Sequence, residues 1–469
     1  MSPSAGRVAG RGDLALFLLC LASFMAVVND TIVTIALPSM RRDLGFSGAD
    51  VQWVFSGYML AFGGLLMLSG RAADLWGRRR MFLAGLALFG VSSLLGGLAP
   101  SPGVLICARV LQGVGAAALV PASLSLLTAT FAEGEQRNRA IGVYGAMASL
   151  GFVVGMVGGG WITEFLGWRW VFFVNVPVAL AALLAAPAAV TESRDEGAPR
   201  ALDLPGALTA TLGLASLIYA VSEIPDSGWI SPPTLGFGGV GALLLALFVL
   251  AERRSPAPLV PLEALRERLV VGPNAGIFLQ SMVGLPWLYV LTLYLQDALG
   301  HTPLRAGLLF LPMTLTGVVA AALAGRLVTR LGARPTAASG LALSVVGLLL
   351  TAGMSSGGGL PLVLSGMVVG EAGFMFCNTA LTIAGSAGAG EGRKGLSAGL
   401  LNTSIQLGNA WGLGIVATVV AATTLGGGAA GPEELVDGLR WGALTCVGFA
   451  ALALPVVLLG LSPRKGHDT

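Results

Sequence analysis

The chain has 469 residues, of which 55% are hydrophobic and only 11% are charged, and its mean hydropathy is +0.82. These values exclude a soluble globular protein and indicate a protein that lies in a lipid bilayer. The net charge of +3 gives no reason to expect nucleic-acid binding. The 2 histidines and 4 cysteines show no metal-ligand spacing, so we expect neither a metal site nor a cofactor.

Apolar runs long enough to cross a bilayer as helices follow one another through the whole chain. We count fourteen of them, starting near residues 14, 50, 81, 103, 141, 168, 205, 232, 271, 304, 336, 360, 397 and 440. The fifth and seventh runs are glycine-rich or short, so twelve or thirteen spans remain as alternatives. The first run lacks a signal-peptide cleavage pattern, so we expect it to be retained as the first transmembrane helix rather than cleaved. The sequence therefore predicts an all-α integral membrane protein with 14 transmembrane helices.

The basic residues are distributed unevenly between the segments that join these runs. Most of the 27 Lys and Arg residues fall in the N-terminal segment and in every second connection after it. Positive charge collects on the cytoplasmic side of membrane proteins. The pattern thus predicts that both termini are cytoplasmic.

A repeated pattern divides the chain. The stretches "GRAADLWGRRR" at 70–80 and "GRLVTRLGARP" at 325–335 each begin with Gly-Arg and have a second glycine seven residues after the first. We expect each to form the loop that follows the second span of a six-helix half. The predicted domains are an N-terminal half at 1–190, a linker with two extra helices at 191–269, and a C-terminal half with a short cytoplasmic tail at 270–469. Duplicated halves are typical of secondary transporters.

Charged residues inside apolar spans are expensive and usually mark a functional pathway. Three stand out: Asp30 in the first span, Arg109 in the fourth and Glu371 in the twelfth. The alternative for Asp30 and Arg109 is an ion pair that only holds two helices together. For Glu371 the alternative is that its side chain faces a water-filled crevice and has no function in transport. We predict that all three take part in proton coupling.

Aromatic and amide side chains in other spans suit the wall of a cavity for lipophilic ligands. They could equally be contacts between helices. The predicted cavity residues are Trp53, Tyr58, Gln112, Asn402 and Gln406.

In the fifth span, glycines recur every four residues and therefore lie on one face of a helix, where a second helix can approach closely. Simple close packing would explain them as well. The glycines of this face are Gly151, Gly155 and Gly159, and Gly160 extends it.

Five stretches in order resemble one known family over essentially the whole chain. "GRAADLWGRRR" resembles the signature loop of the major facilitator superfamily, and "RVLQGVGAA" at 109–117 resembles the motif of its fourth helix. "NDTIVTIALPSM" at 29–40, "WRWVFFVNVP" at 168–177 and "LYLQDALGHTPLRAGLLFLPMTL" at 293–315 are similar to the branch with fourteen helices, the drug:proton antiporters. "GFVVGMVGGG" resembles the antiporter motif of helix 5, although Met156 stands where the family has proline.

The resemblance implies the major facilitator fold, in which two six-helix bundles rock about a central site. Asp74 can accept hydrogen bonds from a neighbouring helix N-terminus or pair with an arginine across the seam between the halves, so we predict that the signature loop is a conformational latch that holds the outward-open state and breaks when the protein turns inward. The alternative for Arg79 and Arg80 is that they only enforce topology. The latch residues carried over from the motif are Gly70, Asp74, Gly77, Arg78 and Arg79.

We therefore expect proton-coupled efflux of lipophilic small molecules, cationic ones among them, by a monomer in a bacterial inner membrane, with the proton gradient as the energy source. A carboxyl group in an apolar cavity is hard to keep charged, so Asp30 or Glu371 could bind a proton and release it on the other side. An uptake symporter on the same fold is the alternative. A membrane-embedded enzyme or receptor is a remote one, because no catalytic cluster or large extramembrane domain is evident.

Overall fold

The computed structural model describes residues 3–46, 50–131, 135–194, 203–255, 258, 268–357, 359–388, 394–424 and 432–461. All regular secondary structure within these ranges is helical. The first seven helices are α1 (Pro3–Leu44), α2 (Trp53–Trp76), α3 (Arg78–Gly97), α4 (Pro102–Thr130), α5 (Glu135–Phe165), α6 (Trp170–Phe173) and α7 (Asn175–Ala189).

The middle of the chain adds α8 (Leu204–Ser222), α9 (Ile224–Ser227) and α10 (Pro232–Arg254). The last seven helices are α11 (Arg268–Leu293), α12 (Pro303–Leu309), α13 (Leu311–Leu331), α14 (Ala333–Ala352), α15 (Leu360–Gly388), α16 (Lys394–Thr424) and α17 (Pro432–Gly460). A π-helical turn, Tyr294–Ala298, continues α11.

The number of spans agrees with the prediction. Within the described residues, 13 helical stretches are long and apolar enough to cross a membrane. α6 with α7 and α12 with α13 each count as one stretch. The apolar helix α2, with 24 residues, supplies a further span. Each of the fourteen predicted runs overlaps one of these helices, so the alternative of twelve spans is wrong.

The repeated glycine pattern marks two equivalent turns, but the predicted loop at 70–80 is wrong. α2 continues through Gly70 to Trp76, and α3 begins at Arg78, so Gly77 alone joins them. Gly77 has a φ of 112°, and Gly332, which joins α13 to α14 in the same way, has a φ of 97°. Side chains rarely tolerate such angles, and this explains why each turn needs glycine.

Helices α1–α7 pack mainly against one another, and so do α11–α17. One apolar core lies chiefly among the first group, with Ile218 of α8 and Ala410 of α16 added, a second lies within the last group, and a third contains residues of both. The pairs that join the groups are chiefly α2 with α16 and α5 with α12. The division of the chain at residues 190 and 270 itself stays a prediction.

The bundle has two ends that differ in chemistry. We call the end with the turns at Gly77 and Gly332 the arginine end, because Arg78, Arg79 and Arg80 lie there. The other end, where α5 gives way to α6 around residues 166–170, is the Trp168 end. α1 ends at Leu44, at the Trp168 end. Because each span crosses the bundle once, the connections that follow lie alternately at the arginine end and at the Trp168 end.

Candidate functional site

Arg109 is the centre of a polar network inside the first group of helices. Its side chain is fully buried in α4. Its Nε donates to the Val54 carbonyl of α2 at 2.7 Å, and its Nη1 donates to Gln112 Oε1 at 2.6 Å. Gln112 Nε2 in turn donates to Ser93 Oγ of α3 at 2.7 Å. The guanidinium lies 4.3 Å from the centre of the Tyr58 ring, a cation–π distance.

Asp30 of α1 lies close enough to Arg109 for their charges to interact, with Asn29 and Tyr58 beside it. The hydrogen bonds of Arg109 nevertheless go to Val54 and Gln112. Asp30 Oδ1, Arg109 Nη2, the Tyr58 hydroxyl and both amide atoms of Asn29 are buried and form no hydrogen bond of good geometry within the described parts of the chain, although Asn29 and Tyr58 lie within interaction range of the Asp30 carboxyl group. Unpaired buried polar atoms are costly, about 1–3 kcal/mol each. A cluster of them is the arrangement expected where a proton, water or ligand completes the site.

Glu371 lies in the other group of helices, on α15. It is 7% exposed, and its carboxylate occupies the space beside Gly317 of α13, where an added Cβ would meet Oε1 at 2.7 Å. Trp287 of α11 packs against the neighbouring Gly370. The three predicted proton-coupling residues therefore form two sites, one with Asp30 and Arg109 and one with Glu371. Their roles stay predictions.

The predicted cavity residues are spread over three places. Tyr58 and Gln112 belong to the Arg109 network. Trp53 pairs with Tyr219 of α8 at 6.1 Å between ring centres, so it lies at the extra helices. Gln406 of α16 packs against Gly63 of α2. If Gly63 carried a Cβ, that atom would lie 2.6 Å from Gln406 Cβ. Asn402 is exposed on the same helix.

The glycine face of α5 packs closely against α1, and its role as an antiporter motif stays a prediction. Thr31 Oγ1 of α1 occupies the place of a side chain at Gly155. A Cβ on Gly159 would meet Ile32 Cγ1 at 2.7 Å, and one on Gly151 would meet the Phe24 carbonyl at 3.0 Å.

Gly160 faces a different helix from the other three, because a Cβ there would meet the carbonyl of Pro303, the first residue of α12, at 2.6 Å. Met156, at the position of the family's proline, turns its carbonyl towards Gly307 of α12. α5 runs unbroken past this residue. Proline at this position would have removed a helical hydrogen bond.

We expect Gly155→Leu to destabilise the protein by at least about 1–3 kcal/mol, the usual range for overpacking, because the new side chain would collide with Thr31 and the Val28 carbonyl. Thermal unfolding in detergent measures the effect. The control is Gly158→Leu on the same helix, where the nearest atom, Val154 Cγ1, is 3.8 Å away. Equal melting temperatures for the two variants would show that α1 and α5 are not closely packed.

At the arginine end, the arginines contact the segment that follows α7. Glu192 Oε1 accepts a hydrogen bond from the backbone nitrogen of Arg79 at 3.0 Å, at the N-terminus of α3. The backbone nitrogen of Arg78 donates to the Ser193 carbonyl at 3.0 Å. The side chain of Asp74 lies outside the described residues. The latch assigned to Gly70, Asp74, Gly77, Arg78 and Arg79 stays a prediction.

Contacts between the two groups of helices seal the Trp168 end. Arg41 Nη2 of α1 forms an ion pair with Asp297 Oδ2 of the π-helical turn at 2.8 Å. Gln296 Nε2 of the same turn donates to the Ile35 carbonyl at 2.9 Å. Glu164 Oε2 of α5 accepts a hydrogen bond from the backbone nitrogen of Leu304 at 3.0 Å.

The sequence analysis did not single out these sealing residues, nor Ser93 or Glu192. The dipeptide Gln296-Asp297 at the end of an apolar run was the available signal for one side of the seal. Its partner Arg41 is 256 residues away, and no local pattern links the two. The π-helical turn, which brings both Gln296 and Asp297 to α1, is a feature often found at functional sites.

Comparison with known proteins places this arrangement in a family. Residues 19–413 match the Major Facilitator Superfamily. The puromycin resistance protein of Streptomyces alboniger is 39% identical, over 94% of this chain and 90% of that protein. The cephamycin export protein CmcT of Amycolatopsis lactamdurans is 39% identical, over 95% of this chain and 91% of that protein.

The fold is also found among solved structures. A bacterial homolog of the human lysosomal transporter Spinster aligns with a TM-score of 0.64 at 17% identity, over 96% of this chain and 97% of that chain. The members of the matched family are transporters, so the alternative of a membrane-embedded enzyme is wrong. The chain is a multi-pass bacterial membrane protein and belongs to the Major Facilitator Superfamily.

Proposed function

We propose that this protein exports lipophilic small molecules, antibiotics among them, in exchange for protons. The observation that carries the proposal is the buried polar cluster of Asp30, Tyr58 and Arg109, which lies within an apolar helix bundle. Such groups are kept in membrane proteins where protons or substrates pass. The similarity to a puromycin resistance protein and a cephamycin export protein supports antibiotics as the substrate class.

The arginine end faces the cytoplasm in this proposal, because basic connections stay on the inner side of the membrane. Both termini are then cytoplasmic, and the protein lies in the inner membrane as a monomer. Substrates include cations that the Tyr58 ring and the acids attract. The proton gradient, rather than a cofactor, supplies the energy.

With this orientation the seal at the Trp168 end closes the outer side, so the structure corresponds to an inward-open state. The arginines of the latch then contact the segment 190–193 of their own half. In the outward-open state we propose that Asp74, with Gly70, Gly77, Arg78 and Arg79, engages the other half. Exchange between the two states carries a site from one side of the membrane to the other.

Asp30 is the first candidate for the proton carrier and Glu371 the second, because each is an acid inside a helix bundle; in the first case Glu371 attracts cationic substrates, and the two roles could be exchanged. A carboxyl group that is protonated outside and released inside moves one charge per cycle. Each charge gains about 2.3 kcal/mol per 100 mV of membrane potential, which supports a substrate gradient of roughly fiftyfold.

A susceptibility panel in a pump-deficient bacterial host tests the function. Structurally diverse antibiotics and dyes, puromycin and a cephamycin among them, are compared with and without this gene. Export predicts higher inhibitory concentrations for several lipophilic compounds, and the Asp30→Asn variant should remove the increase. Lower inhibitory concentrations would instead favour the uptake symporter, and unchanged values for all compounds would contradict drug export.

The seal at the Trp168 end predicts an effect of Asp297→Asn. The change removes the charge partner of Arg41 and should therefore raise the population of proteins that are open at this end about tenfold. A tenfold change corresponds to a lost interaction free energy of about 1.4 kcal/mol, which lies between the values for exposed and buried ion pairs. The measurement is the labelling rate of Leu37→Cys, a site 1% exposed, by an impermeant maleimide from outside. The exposed Cys107 is first replaced by serine.

Asp437→Asn is the control for the Asp297 variant, because Asp437 pairs with Arg440 on the surface of a single helix. If both variants label at the same rate, the Arg41–Asp297 pair does not hold this end closed.

Glu371→Gln should weaken transport of cationic substrates more than that of neutral ones. The amide removes a negative charge while keeping the size of the side chain, which faces Gly317. We expect a fall of about tenfold for a cation, the equivalent of one charge interaction of about 1.4 kcal/mol. Concentration dependence of efflux for one cationic and one neutral compound gives the measurement. Equal losses for both would mean that Glu371 acts as a structural residue or as a proton carrier.

A further inference from the structure

The extra helix α8 contacts both groups of helices at the place where α2 meets α16. Thr211 Oγ1 of α8 fills the place of a side chain at Gly64 of α2. Nearer the Trp168 end, Ile218 Cγ2 of α8 lies 3.0 Å from the position of a Cβ on Gly414 of α16. Ile218 is 2% exposed. The contact between α2 and α16, which we call the α2–α16 seam, is thus bridged by a third helix.

The two contacts of α8 differ in kind. Towards α2, Thr211 enters the notch at Gly64, and Tyr219 pairs with Trp53 at 6.1 Å between ring centres. Side chains that interlock over two turns resist sliding, as in any close-packed interior. Towards α16, Ile218 meets Gly414, which has no side chain to interlock with it. We therefore expect α8 to stay with α2 when the two groups of helices move.

Buried polar groups lie in the same part of the seam. Gln52, just before α2, and Ser56, one turn later, are both fully buried. Gln52 Oε1 lies 3.5 Å from the Cβ position on Gly414. Across the seam, Trp411 precedes Gly414 on α16 by about one turn. Neither amide atom of Gln52, nor Ser56 Oγ, nor Trp411 Nε1 forms a hydrogen bond of good geometry within the described part of the chain.

These polar groups act against closure of the seam. A buried group without a hydrogen bond costs about 1–3 kcal/mol. The closed seam bears this cost, whereas water reaches the same groups once α2 and α16 separate at the Trp168 end. The apolar contact of Ile218 acts in the opposite sense, because it exists only while the seam is closed.

We propose that α8 is a brace that sets the balance between the inward-open and outward-open states. It moves with α2, holds the Trp168 end closed through Ile218, and releases Gly414 when the protein opens outwards. The buried amide of Gln52 opposes the brace. Contacts made in only one state shift the populations of the two. The inference rests on the alternation between states in the proposed function and not on its substrates.

Ile218→Ala should raise the population open at the Trp168 end about tenfold, because the shortened side chain no longer reaches Gly414. The measurement is again the labelling rate of Leu37→Cys from outside in the Cys107→Ser background. Leu212→Ala is the matched control, because Leu212 lies on the same helix and is 53% exposed. Its labelling rate should equal that of the parent protein. Equal rates for the Ile218 and Leu212 variants would overturn the brace.

Gln52→Leu should change the labelling rate in the opposite direction. Leucine has a similar size but no polar atoms, so the closed seam no longer contains an unpaired amide. We expect labelling to slow about tenfold, the equivalent of about 1.4 kcal/mol. An unchanged or faster rate would overturn the opposing role of Gln52.

A disulfide tests whether α8 leaves α16. Only Cγ2 of Ile218 comes within 4 Å of the Cβ position on Gly414. Cβ atoms at the two positions are therefore about 4–4.5 Å apart, a separation that a disulfide spans. Ile218→Cys with Gly414→Cys, once oxidised, should slow labelling of Leu37→Cys about tenfold or more. Mass spectrometry of the peptide that contains position 37 counts the label.

Gly213→Cys with Leu244→Cys is the control crosslink, because it joins α8 to α10. A Cβ on Gly213 lies 3.2 Å from Leu244 Cβ, close to the disulfide range. This crosslink should leave the labelling rate unchanged. Unchanged labelling with both crosslinks, or equal slowing by both, would overturn the brace. Labelling needs no substrate, so higher inhibitory concentrations in the susceptibility panel would show that the proposed function still stands.

Discussion

Asp30→Asn is expected to abolish uphill efflux while downhill exchange of substrate survives. The amide has nearly the shape of the carboxyl group but does not bind and release a proton at physiological pH. It therefore removes the proton-dependent step and leaves the surrounding Tyr58 and Arg109 in place. The substrate gradient, roughly fiftyfold per charge at 100 mV in the coupled protein, should fall to about one.

Membrane vesicles with an imposed pH gradient give the comparison for Asp30→Asn. Uphill transport and counterflow are measured with one cationic and one neutral substrate, and Glu371→Gln is measured in parallel because the two acids could exchange roles. Full proton-driven transport of both substrates by both variants would contradict the proposal. Asp30 would then serve only as a charge partner of Arg109.

Arg109→Lys should reduce transport about tenfold or more, although it keeps the positive charge. The guanidinium donates through two different nitrogens, to the Val54 carbonyl and to Gln112 Oε1, and lies over the Tyr58 ring. A single ammonium group does not reproduce this planar arrangement. At least one buried acceptor would lose its partner, at about 1–3 kcal/mol.

Transport by the Arg109 variant is normalised to the amount of folded protein, so that lost function is separated from lost expression. Arg169→Lys is the control, because this arginine lies at the surface, where it pairs with Asp43 at 2.5 Å and its side chain is 40% exposed. The control should keep nearly full transport. Equal activity of the two variants would show that the network around Arg109 is not needed for transport.

Much of the fold can be predicted from the sequence because membrane spans obey a simple rule. A helix that crosses lipid must be apolar over its whole length, so hydropathy locates it. The glycine pattern further predicts equivalent turns, and Gly77 and Gly332 have the required positive φ. The extent of helices is harder to predict. α2 runs through Gly70 and α1 runs to Leu44, because polar residues remain helical at the ends of a span, where hydropathy carries no signal.

The candidate site could be predicted only in part. Asp30, Tyr58, Arg109 and Gln112 lie together, and their rarity within apolar spans was the signal. Trp53 was expected in the cavity but lies against Tyr219 of α8. An aromatic residue in a membrane helix is equally suited to packing, so its type does not reveal its direction.

The seal and the packing of the extra helices depend on contacts between distant parts of the chain. Arg41 with Asp297 and Gln296 with Ile35 join residues more than 250 positions apart. The extra helix α8 likewise packs against both α2 and α16. Neither spacing nor composition encodes such contacts, because many pairings of the same helices bury the same apolar area.

Proton-driven export itself is tested most directly by the purified protein in liposomes with an imposed pH gradient. Fluorescence follows the movement of rhodamine 6G, and an ionophore that collapses the gradient serves as the control. We predict that the dye moves against its gradient in the direction opposite to the protons, and that collapse of the gradient stops it. Movement of the dye with the protons would indicate a symporter, and transport that is unaffected by the gradient would contradict proton coupling.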